Sequence, residues 1–123
     1  MRCPKCHSSF ESVSTGGGVI DRCTNCKGMW FDMLEHEDLR PHAREVDTGS
    51  AHLGARYNRI DRINCPLCPN TPLLRMVDPQ QPHIWFESCP HCFGRFYDAG
   101  EFRDFAETTL GDLVKRLFAR ART

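Results

Sequence analysis

The chain has 123 residues, sixteen basic and sixteen acidic side chains, 40% hydrophobic residues and eight cysteines. Zero formal charge argues against a protein that grips phosphates through overall basicity. No stretch approaches the roughly 20 apolar residues of a membrane span.

In chain order, Cys3 and Cys6 open the sequence as a Cys-x-x-Cys pair, and Cys23 and Cys26 repeat it sixteen residues on. Between them, Phe10–Ser14 and Val19–Arg22 are β-type runs flanking Thr15-Gly16-Gly17-Gly18, which predicts a hairpin. Gly28 suits a left-handed or tight backbone beside sulfur. Asp32 with Glu35 three residues on reads as a helix N-cap with a capping-box partner, and Pro41 ends that helix. Residues 41–63 form a mostly polar linker in which Leu53, Tyr57 and Ile60 fit one short helix. Cys65, Cys68, Cys89 and Cys92 then repeat the cysteine set with a twenty-residue spacer. Here Leu73–Val77 and His83–Glu87 flank Asp78-Pro79-Gln80-Gln81-Pro82, a wider loop because proline cannot donate to a ladder. Gly94, Asp98 and Glu101 repeat Gly28, Asp32 and Glu35. Over 107–123, Leu110, Leu113, Val114, Leu117 and Phe118 make an apolar stripe at helical spacing, which predicts a C-terminal amphipathic helix. Phe102, Phe105 and Ala106 can extend that stripe towards Ala99, with a bend or break near Thr108, Thr109 and Gly111.

Four thiolates at such spacing close a tetrahedron around Zn²⁺ and leave no position for substrate. Lobes of roughly 40 residues rarely fold on an apolar core alone, so metal binding and folding should be one event. Disulfides are the competing use of eight cysteines, but no apolar run follows Met1-Arg2, so the expected setting is reduced and cytoplasmic. Iron is the competing metal. Haem at Cys3-Pro-Lys-Cys6-His7 is disfavoured, because Pro69 stands at the position equivalent to His7.

The chain also repeats itself. CTNCKGMWFDMLEHEDLR and CPHCFGRFYDAGEFRDFA superpose at an offset of 66, CPKC and CPLC at 62, so the second copy carries four extra residues between its cysteine pairs. Two complete copies imply sequential rather than interleaved ligand pairing: Cys3, Cys6, Cys23 and Cys26, then Cys65, Cys68, Cys89 and Cys92. Each Zn²⁺ with four thiolates carries about −2, so the metallated chain is about −4. Positive excess is confined to residues 40–63 (five basic against three acidic) and the tail (four against two).

These motifs resemble the transcription factor IIB-type zinc ribbon found in many small bacterial proteins, here in tandem over about 1–39 and 64–106. The resemblance implies that the eight cysteines bind two structural zinc ions. Phe96 replaces the tryptophan seen at Trp30, and His7 and Pro69 stand where the family carries glycine after the first knuckle.

The expected fold is therefore a small zinc-stabilised α+β protein: ribbon 1 over 1–40, linker 41–63, ribbon 2 over 64–106, and the C-terminal helix. Each ribbon is a hairpin plus a short helix. His7 and His91 are expected to be solvated or to support the metal site rather than ligate it. Trp30, Phe31, Phe96 and Tyr97 are read chiefly as ribbon core, with a base-stacking platform as the alternative. Lys115, Arg116 and Arg120 are candidate phosphate contacts. Glu35, Asp38, Glu101 and Asp104 read as solvated helix faces. No nucleophile set, phosphate loop or open metal position is visible, so catalysis is not expected. The functional expectation is a protein-interaction or regulatory module linked to gene expression, with a homodimer through the C-terminal helix as a subsidiary possibility. Nucleic-acid binding and thiol-based zinc or redox sensing are the alternatives.

Overall fold

The computed structural model describes residues 1–60, 62–79 and 81–106. Its frame is one six-stranded antiparallel sheet in the order β1-β2-β3-β6-β5-β4. The strands are β1 (Phe10–Thr15), β2 (Gly18–Cys23), β3 (Met29–Phe31), β4 (Leu74–Asp78), β5 (Gln81–Ser88) and β6 (Arg95–Tyr97). Each ribbon supplies three consecutive strands. They join edge to edge where β3 pairs with β6, so the two lobes expected from the repeat are one continuous structure.

That seam has internal two-fold symmetry. Its pairs are Met29 with Tyr97, Trp30 with Phe96, and Phe31 with Arg95. The repeat equates residues 29–31 with 95–97, so exchanging the strands swaps the two outer pairs and returns the central pair to itself. Trp30 and Phe96 sit opposite each other at the centre, in the manner of an isologous dimer interface built within one chain.

Alternation along the strands divides the core into two layers. One face carries Ile20, Met29, Phe31, Phe86 and Tyr97, covered by Leu39, Ala43, Val46, Phe102 and Phe105. The covering elements are α1 (Glu35–Asp38), a 3₁₀ turn (Arg40–His42), α2 (Ala43–Val46) and, following α3 (Ala51–Asn58), a helix α4 at 101–106. The other face carries Trp30, Phe96, Ile63 and Leu73 among the cysteines.

The first hairpin closes as its glycines require, with Thr15 paired to Gly18 around Gly16-Gly17. The second differs from the expected wide loop: Asp78 pairs with Gln81, and the irregularity lies deeper, where Val77 pairs with Trp85. The four extra residues of the second copy are thereby located. Three enter β5, because the tips (Thr15–Gly18 and Asp78–Gln81) correspond at an offset of 63, whereas Cys23 and Cys89 are 66 apart. The fourth enters the first knuckle, where Cys3 N bonds Ser8 O but Cys65 N bonds Thr71 O. Pro69 accounts for it. His7 turns the first knuckle at φ 63°; proline cannot reach that region, so Asn70 does so at φ 52°.

The stretch read as a polar linker is folded. The expected short helix is α3, capped by Ser50 Oγ accepting from Leu53 N at 3.0 Å. Ahead of it, buried Asp47 accepts from Gly100 N (2.8 Å) and Arg103 N (2.9 Å), so the linker caps α4. This overturns the capping roles read for Asp32 and Asp98. Leu34, in a left-handed conformation, precedes α1 with no side-chain cap, and Asp98 is committed elsewhere. The C-terminal helix expected over 107–123, with Lys115, Arg116 and Arg120, lies outside the described residues.

Candidate metal centres

Each ligand set is assembled by two knuckles at the base of a hairpin. In the first, the sulfurs of Cys3, Cys6, Cys23 and Cys26 lie within 4.8 Å of one another, and the set Cys65, Cys68, Cys89 and Cys92 matches it. Pairing is sequential, as the repeat implied. Cys3 and Cys26 sulfurs are 3.7 Å apart, Cys6 and Cys23 3.3 Å, and Cys65 and Cys92 3.8 Å. Zinc–sulfur bonds of about 2.3 Å in a tetrahedron put sulfurs about 3.8 Å apart, so both sets fit the ion.

The backbone completes the fit. Asn25 N and Cys26 N point at Cys23 sulfur at 3.4 Å, Leu67 N and Cys68 N at Cys65 sulfur at 3.4 and 3.3 Å, and His91 N and Cys92 N at Cys89 sulfur at 3.4 Å. Such N–H···S bonds spread thiolate charge and orient the ligand. Within the first set, the Cys26 thiol draws Cys3 down to about 5, while the same bond and burial push Cys26 up. Cys3, Cys23 and Cys26 are buried and Cys6 is half-buried, whereas the second set has two half-buried members, Cys68 and Cys92. His7 and His91 are exposed, and neither joins a sulfur cluster.

Residues 2–40 match the family model described as a transcription factor zinc-finger of the TFIIB zinc-ribbon type. Over those residues the chain is similar to a TFIIB-type zinc ribbon. The second set of four sulfurs makes the arrangement a tandem, and the cofactors are two structural zinc ions. No curated protein and no solved structure matches the chain. Among the described residues, no helix is long and apolar enough to cross a membrane.

The glycine of the repeated Cys-x-x-Cys-x-Gly motif has a tertiary cause. The left-handed residues after the last cysteines are Lys27 (φ 62°) and Phe93 (φ 63°), not Gly28 and Gly94. A Cβ on Gly28 would stand 2.3 Å from Phe96 Cζ, and one on Gly94 would stand 2.3 Å from Trp30 Cζ2. Each ribbon's glycine is the bed for the other ribbon's ring. Trp30, Phe31, Phe96 and Tyr97 are all essentially inaccessible, which corrects their candidacy as a base-stacking platform: they are the seam.

The seam is also held by an ion cluster that sequence reading missed. Lys5, inside the first knuckle, is buried with its Nζ 2.7 Å from Asp98 Oδ2, 2.9 Å from Glu87 Oε1 and 3.1 Å from Tyr57 O. Burial raises the pKa of both carboxyls, and Lys5 opposes that rise. Ribbon 1's zinc knuckle is in this way tied to ribbon 2 and to α3.

Proposed function

We propose that this is a non-catalytic zinc protein whose fused ribbons present a surface to another protein, in a regulatory role linked to gene expression. The observation that carries the reading is what remains outside. Both metal positions are closed by four sulfurs, and Trp30, Phe31, Phe96 and Tyr97 are spent on the seam. What is offered to a partner is the outer surface, above all β4, the last strand of the sheet, with Leu74 and Met76 exposed on it and Trp85 on its neighbour. A strand edge that is unpaired among the described residues and flanked by apolar side chains suits a strand-forming segment of another protein. The link to gene expression rests on the likeness of residues 2–40 to transcription factor zinc-fingers.

Affinity capture with the zinc-loaded chain and with Met76→Lys tests this. A partner retained by the first and lost by the second, with both holding two zinc ions, is the expected result. If no protein is captured and an oligonucleotide binds far more tightly than about 10⁻⁴ M at low salt, the reading fails in favour of nucleic acid.

A further inference from the structure

The internal two-fold exposes an unequal pair of surfaces. On one side, Lys5, Lys27, Ala99 and Gly100 lie under residues 47–57. A Cβ on Gly49 would stand 2.6 Å from both Lys27 Cβ and Ala99 Cβ, one on Gly54 1.8 Å from Ala99 O, and one on Gly100 2.8 Å from Ala51 Cα. Tyr57 O accepts from Lys5. The repeat equates these four positions with Leu67, Phe93, Met33 and Leu34. Those four are bare, at 51, 58, 58 and 62% exposure, and all are large and apolar.

One of them also carries strain. Leu34 (φ 67°) holds left-handed backbone, which costs an ordinary side chain about 1–2 kcal/mol, where the other copy has Gly100 (φ 86°). A bulky apolar residue kept in that conformation while facing water has a use that the ribbons themselves do not supply. The charges are unequal as well. Glu87 and Asp98 are met by Lys5, whereas their counterparts Asp21 and Asp32, with Glu35, enter no salt bridge among the described residues.

We propose that this second face is the docking site of the chain's own C-terminal segment, residues 107–123. The first face is covered by the segment that directly follows ribbon 1, and 107–123 directly follows ribbon 2. The lengths agree: the cover reaches Tyr57, thirty-one residues past Cys26, and Thr123 stands thirty-one residues past Cys92. The chemistry is complementary. Leu113, Val114, Leu117 and Phe118 meet an apolar patch where the linker's Gly49, Ala51 and Gly54 meet a smaller and more polar one. Lys115, Arg116 and Arg120 bring to Asp21, Asp32 and Glu35 the cations that Lys5 brings to the other side.

Hydroxyl-radical footprinting of the full zinc-loaded chain tests this, read by mass spectrometry against Leu113→Asp/Leu117→Asp in the same full-length chain. Met76, exposed on β4, is the internal control. Met33 oxidation is expected to be about five-fold slower than Met76 in the parent and to approach the Met76 rate in the variant, with Phe93 following. Two zinc ions per chain and an unchanged Met76 rate show that the variant is folded. Met33 oxidised as fast as Met76 in the parent overturns the proposal. So does protection that disappears on dilution together with a dimer in light scattering, which gives the face to a second copy.

Discussion

Gly28 and Gly94 are the residues whose meaning changes most between chain and fold, because each is defined by a ring sixty-eight or sixty-four positions away. Gly28→Ala or Gly94→Ala is expected to cost about 1–3 kcal/mol in denaturant titration, since the ring it meets is enclosed and must shift. Lys5 acts at similar range. Lys5→Met leaves Glu87 and Asp98 buried without a cation and is expected to cost about 3–5 kcal/mol, with part of the loss recovered by adding Glu87→Gln. Two titrating groups give the pH dependence. Burial, then Arg95, holds His36 down to about 4, so its stabilising contribution is complete above pH 6.5 and is lost as pH falls through 4. Burial, then Asp98, raises Glu101 to about 7, so stability is lost as pH climbs from 4.5 through 7. Glu101→Gln should therefore match the parent near pH 4.5 and gain about 1 kcal/mol over it above pH 7, allowing for the half-exposed position of the group. Thermal melts at the two pH values measure the difference.

At the scale of elements, the two zinc knuckle pairs are alike in donors and unlike in shelter. The first set has one half-buried sulfur and the second has two. A chelator is expected to empty the second site first, with Cys68 and Cys92 alkylated before Cys6 and a one-zinc species seen in native mass spectrometry; equal loss from both sites would overturn this ordering. The hairpins were legible because their signals are local: glycines set the first turn, and alternation set the strands. The second turn was misjudged because its prolines suggested a loop, whereas the three added residues are absorbed within β5 and the tip closes as tightly as the first. The helix caps were misjudged for a related reason. Asp98 has the right spacing to cap α4, but a buried lysine from the other ribbon holds it, and Asp47 takes the capping place from more than fifty residues away.

For the molecule as a whole, the two ribbons share one sheet, one seam and one buried ion cluster, so they should not unfold independently. Once both zinc ions are gone, the sheet signal in circular dichroism and the amide dispersion of residues 1–106 are expected to be lost in both ribbons together, because structural zinc of this kind contributes on the order of 10 kcal/mol. The sequence by itself determined the eight ligands, their grouping into two sets and the hairpin of each ribbon, since metal–thiolate chemistry demands cysteines at short, regular spacing that can be read along the chain. Only the tertiary structure decided that the units fuse through β3 and β6, that the aromatics face each other rather than a ligand, and that Lys5 and Asp47 serve the opposite ribbon. Those outcomes depend on which surfaces meet across the two-fold, and contacts between surfaces distant in the chain leave no local spacing to read.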